Sequence, residues 1–279
     1  MSSADGQDYR DLARSLVKLL EVARRTLSDE EEPPELAARV TSHLGCELSE
    51  VVAVHERFQI WDHVNVYRGV DAYLARHGSA GTWFGAATGM MRPHQDLLSR
   101  LAMPGPVAVS KAGSASYGTA ATGPDTDTEV VTLGLITTTA PGGEPVVIGL
   151  RAEREFGPPH GVLEILAADR AAASSARTEV ARLSAEHNVF RGQVLSFGQS
   201  EHQGNELVSF LPRIPLGPDE VVLPAGVLEI IERHVTGIGS LSAELRDAGQ
   251  HLKRGLLLYG PPGTGKTHTV RYLAGKLTG

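Results

Sequence analysis

The sequence predicts an α/β protein in two parts: an N-terminal α+β domain over residues 1–215, then the incomplete beginning of an α/β domain over residues 216–279. Two β-branched runs, Glu129 to Thr139 and Pro145 to Glu155, flank Ala140-Pro141-Gly142-Gly143-Glu144, which is the pattern of an antiparallel hairpin. Ala173, Ala176, Val180 and Leu183 then recur at helical spacing, a face fit to cover such a sheet. Near the C-terminus a glycine-rich loop separates a short apolar run from a helical stretch, as in a unit built on a buried parallel strand.

The elements follow in order. Leu12, Leu16, Leu19, Leu20, Ala23 and Leu27 share one helical face, ended by Ser28-Asp29-Glu30-Glu31-Glu32-Pro33-Pro34, since proline cannot continue a helix and the acids repel. A second helix is predicted from Pro34 to Gly45, a strand from Val51 to Ile60, and a helix from Val64 to Arg76 stopped by Gly78. Gly81, Gly85 and Gly89 suit a loop or close packing. Residues 112–128 are almost all small or polar, which predicts a flexible connector. After the hairpin come a strand over Gly161 to Ala167, a helix from Arg170 to about His187, and short strands at Val194 to Phe197 and Leu207 to Leu211. Pro212, Pro215 and Pro218 mark a boundary, followed by helices over Val227–Val235 and Ser240–Gly249.

Composition narrows the function. Lys and Arg number 26 against 33 Asp and Glu, a net charge of -7, which argues against nucleic acid as a partner because such proteins present a basic face. Cys46 is the single cysteine, so there is no intrachain disulfide or cysteine-based zinc site, and a small apolar role suits it. No run approaches the ~20 apolar residues that span a bilayer, and Met1 to Asp8 lacks the layout of a signal peptide. A cytoplasmic setting without membrane contact is expected. The 11 histidines form no HExxH; His55 and His63, which flank Phe58-Gln59-Ile60-Trp61, are expected to pack or lie at the surface. Ser15 and Lys18 fit S-x-x-K without companion motifs, and Ser114 and Ser116 lack the G-x-S-x-G elbow.

One segment carries chemistry. Gly260-Pro261-Pro262-Gly263-Thr264-Gly265-Lys266-Thr267 matches G-x-x-x-x-G-K-[ST], the phosphate-binding loop. Gly255-Leu256-Leu257-Leu258-Tyr259 precedes it as a candidate strand, and Thr267 to Leu277 follows as a helix with Val270, Leu273, Ala274 and Leu277 on one face. Gly263 and Gly265 let successive N–H groups turn toward phosphate oxygens, and the helix start adds its dipole and unpaired amides. Lys266 supplies a cation for the β- and γ-phosphates, and Thr267 offers a hydroxyl to Mg²⁺. His268 comes next, near a bound base or on the helix surface.

Arg254 to Tyr259 followed by the Gly-Pro-Pro-Gly-Thr-Gly-Lys-Thr filling resembles the AAA subgroup of the AAA+ ATPases, as do Val221-Val222-Leu223-Pro224 and the two helices after them. The resemblance covers about residues 216–279. It implies ATP and Mg²⁺ as cofactors, Gly260 to His268 as nucleotide-binding residues, Lys266 as the catalytic residue and Thr267 as the metal ligand. It also implies a homo-oligomeric ring, most often a hexamer, that remodels or unfolds a macromolecule, with residues 1–215 gripping a protein substrate or adaptor or regulating assembly. The family further requires a Walker B acid, sensor residues and an arginine finger, none of which precedes Gly279. The chain alone is therefore expected to be inactive, to be the front of a longer ATPase, and to pack residues 250–279 poorly, with Leu256, Leu257 and Leu258 exposed. The alternatives are a nucleotide-binding or protein-interaction module that does not hydrolyse, and a separate enzymatic activity in the N-terminal domain, which shows no nucleophile or acid/base constellation.

Overall fold

A computed structural model describes residues 18, 35–78, 81–86, 101, 112–153, 160–198, 208–251 and 255–276. The helix expected over residues 8–27 lies outside these apart from Lys18, as does Gly89.

The chain enters through helix α1 (Glu35–Leu44) and strand β1 (Val52–Gln59), then helix α2 (His63–His77), which ends at Gly78. Strands β2 (Phe84–Ala86), β3 (Ala112–Ser114), β4 (Ser116–Gly123), β5 (Thr126–Thr139), β6 (Pro145–Glu153) and β7 (His160–Ala167) come next. These seven strands form one sheet in the order β1-β7-β6-β5-β2-β3, with β4 also paired to β5. Every pairing in it is antiparallel. Helix α3 (Arg170–Glu186) follows, then the two-stranded pair β8 (Val194–Phe197) and β9 (Val208–Leu211).

Alternation along the strands sorts their side chains onto two faces. Ile148 lies opposite Ile165 and Leu150 opposite Leu163. With Val146 they pack against Val70 and Tyr73 of α2 and against Ala173, Ala176, Val180 and Leu183 of α3. The other face, with Leu135, Val147 and Leu166, receives Leu36, Ala37, Val40 and Leu44 of α1. Side chains also reach the backbone between layers. The buried Tyr73 donates its phenol to the Thr139 carbonyl at 2.7 Å, and the buried His63 donates Nε2–H to the Val131 carbonyl at 2.7 Å. Asp169 caps α3, its carboxylate accepting the Ala172 N–H at 3.1 Å, which satisfies one of the amides that a helix start leaves open.

Residues 112–128 correct one expectation. They form β3, β4 and the start of β5 rather than a flexible connector. Strand pairing is made by the backbone, which small side chains do not hinder, and Ala120 on β4 packs with Val64 and Val130 in a small core of its own.

Beyond β9, residues 212–217 run without regular structure to a short 3₁₀ turn at Pro218–Glu220. Helices α4 (Val227–Ser240), α5 (Ser242–Asp247) and α6 (Lys266–Lys276) complete the described chain. Val221, Ile231, Tyr272 and Leu273 form the core that joins α4 to α6. The strand expected at 255–259 is not formed: the segment has no ladder partner among the described residues, and Leu256, Leu257 and Tyr259 are 43%, 88% and 97% exposed. The exposure of Leu256 and Leu257 agrees with the poor packing expected of residues 250–279, whereas Leu258 is half-buried and Thr269, Tyr272 and Leu273 are buried, which corrects that expectation for α6. The face expected on α6 is also corrected. Leu273 is buried as expected, but Val270 is 53% exposed, and Thr269 and Tyr272 point inward with Leu273; Leu277 lies outside the described residues.

The protein is thus a mixed α and β structure with an antiparallel sheet and several helices. No described helix is long and apolar enough to cross a membrane.

Candidate functional site

The glycine-rich loop closes on its own lysine. Gly263 and Gly265 both take φ of 81°, a left-handed conformation that a Cβ disfavours even where space is open. A Cβ at either would meet nothing within 4 Å, so the demand for glycine here comes from the backbone rather than from crowding. These turns bring Lys266, the first residue of α6, back over the start of the loop. Its Nζ donates to the carbonyls of Gly260 and Pro261, each at 2.7 Å, and lies 3.4 Å from Thr264 Oγ1. Thr264 Oγ1 in turn donates to the Pro261 carbonyl at 2.9 Å. At the helix start Thr269 folds its hydroxyl back onto the Gly265 carbonyl at 3.0 Å. The amides of that first turn have no intrahelical acceptors by geometry, and with the helix dipole they make its N-terminus electropositive.

Beside the loop lies a cleft of about 520 Å³. Val222, Leu223 and Pro224, Val227 and Ile231 of α4, and Leu256 to Tyr259 line its apolar walls. Gly260, Pro261, Thr264, Lys266 and Thr269 supply its polar end. Among the described residues no carboxylate lines it. An apolar slot ending in an ammonium group and a helix N-terminus suits an anion with a flat or apolar body.

Of the residues singled out by sequence, Gly260, Pro261, Thr264 and Lys266 border this cleft. Pro262, Gly263, Gly265 and Thr267 are exposed on the loop and helix start outside that lining. His268 sits outside the lining too; its Nε2 lies 3.0 Å from the Glu220 carbonyl. Sequence reasoning missed Thr269, Val227 and Ile231, whose part in the cleft depends on how α4 and α6 pack. It also missed the network behind the cleft, where Tyr272 donates its phenol to the Glu232 carboxylate and Lys276 Nζ lies 3.4 Å from the same carboxylate. The hydrogen bond from Tyr272, helped by the charge of Lys276, holds the Glu232 carboxyl below its ordinary range.

Other polar groups build structure. The buried Glu164 accepts from Arg151 Nε at 3.1 Å, and His55 Nδ1 stands 3.6 Å from its second oxygen. A separate cavity of about 200 Å³ is bordered by Glu56, Asp62, Asn65 and Asn188; burial pushes the Asp62 carboxyl up. His63 is packed inside the fold, stacked beside Phe58 with ring centres 5.8 Å apart. Ser114 and Ser116 are strand residues of β3 and β4. Among the described residues no group of three or more His, Cys, Asp and Glu side chains converges where a metal ion could be held.

No protein-family profile matches the chain, and no curated protein matches it in sequence.

Proposed function

We propose that residues 216–276 act as an ATP-binding module in which the loop Gly260–Thr267 cradles the triphosphate and the apolar cleft takes the base. The observation that carries this reading is the position of Lys266. Its ammonium is bound by carbonyls of the same loop, beside the electropositive start of α6 and at the polar end of the cleft. That arrangement lets phosphate oxygens replace the carbonyls around a cation that is already in place.

The residues present fit such a ligand. The backbone at Gly263 and Gly265 carries no side chain that would obstruct phosphate, and the cleft volume suits a purine with its sugar. Thr267, at the start of α6, would hold Mg²⁺, which when bound neutralises charge on the β- and γ-phosphates.

On its resemblance to the AAA subgroup, the module would serve a Mg²⁺-dependent ATPase that assembles as a ring and remodels a protein substrate or adaptor gripped by the α+β part. The alternative reading is a nucleotide-binding or protein-interaction module that does not hydrolyse.

Calorimetric titration of Mg-ATP into the chain and its Lys266→Ala variant tests the proposal. A charge-assisted hydrogen bond contributes about 1.5–3 kcal/mol, so the variant should lose roughly 10- to 100-fold in affinity. Equal binding by both proteins, or binding by neither, would contradict it.

A further inference from the structure

We infer that His268 is a positioning residue that makes the cleft prefer a nucleoside triphosphate to bare triphosphate. The inference rests on the reading of Gly260–Thr267 as the phosphate cradle, and its test separates the two.

His268 Nε2 stands 3.0 Å from the Glu220 carbonyl oxygen, across 48 residues of sequence. A carbonyl only accepts, so the ring must carry its proton on Nε2 and act as donor. The bond ties α6, which brings Lys266 and Thr269 to the cleft, to the chain just before Val222–Pro224, which also line it. His268 lies in the first turn of α6, two residues after Lys266. Glu220 closes the 3₁₀ turn, and the chain passes directly from it through the buried Val221 into the wall Val222–Pro224. Val222 is 91% exposed, whereas Leu223 packs against the α4–α6 core. The His268–Glu220 bond, together with the packing of Val221 and Leu223, sets how far the wall stands from the ammonium group.

Two ligands would feel this bond differently. Bare triphosphate needs only the loop, Lys266 and the helix start. A nucleotide also places its base against Val222, Leu223 and Pro224, and depends on where that wall stands. Loss of the bond should therefore weaken the nucleotide and leave the inorganic ligand unaffected.

The experiment uses the full chain with His268→Ala and His268→Gln, whose side-chain amide can donate to the same carbonyl. Calorimetry gives the affinities for Mg-ATP and for magnesium tripolyphosphate. In His268→Ala the Mg-ATP affinity should fall about two- to twelvefold, a range set by the typical net worth of one hydrogen bond, with tripolyphosphate unchanged. His268→Gln should recover most of the Mg-ATP affinity. Unchanged tripolyphosphate binding also shows that the cradle of the variant is folded. Equal weakening of both ligands, or of neither, overturns the role of His268 alone. A wild-type chain that binds neither ligand overturns the cradle, and this inference with it.

Discussion

Lys266 Nζ and the carbonyl oxygen of Gly260 lie 2.7 Å apart, six residues separated in sequence. The ammonium holds closed the loop from which it projects, and a phosphate that binds it must take the place of these carbonyls. The same contact makes the backbone of the loop as important as its side chains.

Gly263→Ala tests that point. The left-handed conformation costs a residue with a Cβ roughly 1–2 kcal/mol, and no crowding adds to it. Mg-ATP affinity should fall about 5- to 30-fold by calorimetry, while the thermal midpoint of the sheet part is unchanged. An alanine variant with wild-type affinity would show that the loop does not need this conformation to bind.

Thr267→Ala separates metal from phosphate. Wild-type affinity for ATP should be higher in Mg²⁺ than in EDTA, and the variant should lose that difference while binding metal-free ATP as the wild type does. A variant that keeps the full Mg²⁺ dependence would remove Thr267 as the ligand.

Burial separates two aliphatic positions for stability. Leu183 on α3 is 1% exposed within the main core, and Val222 is 91% exposed. Leu183→Ala should cost about 2–5 kcal/mol in urea unfolding, and Val222→Ala within about 0.5 kcal/mol of nothing. Similar losses for both would contradict the placement of α3 on the sheet.

A pH dependence follows from Glu179 on α3. Its carboxylate accepts from Arg182, at 2.8 Å to each oxygen, and from Arg76 of α2 at 2.7 Å. The hydrogen bonds from Arg182, then those from Arg76, bring its carboxyl down to about 2 from an ordinary 4.5. A group whose folded value is depressed stabilises above its unfolded value and loses that contribution as pH falls toward the folded one. Glu179→Gln should therefore be modestly less stable than wild type at pH 7, with the gap narrowing below pH 4.5 toward about 2. The partly exposed setting keeps the effect small. A gap that stays constant across this range would deny the ionic link between α2 and α3.

Sequence alone made much of the sheet part legible, because hydrophobic periodicity there matches burial. Ala173, Ala176, Val180 and Leu183 were readable as one face and are all buried against the sheet, and the hairpin was evident from its central Pro-Gly-Gly. Residues 112–128 were not readable, since alanine, glycine and threonine pair through the backbone without an apolar alternation. The buried face of α6 was misread for another reason. Tyr272 is 1% exposed because its hydroxyl finds Glu232 on α4, a partner 40 residues away that spacing cannot reveal. At the candidate site the loop, Lys266, Val222–Pro224 and Leu256–Tyr259 stood out in the sequence, but the part played by Val227, Ile231 and Thr269 did not, because it depends on how α4 packs against α6.

The most direct measurement of the central claim is an amide-resolved NMR titration of the isotopically labelled chain with Mg-ATP. The largest shifts should fall at Gly263, Thr264, Gly265, Lys266 and Thr267, with smaller ones at Val222 and Leu223 and none across the sheet. No shifts at saturating nucleotide, or shifts confined to residues outside the loop, would contradict it.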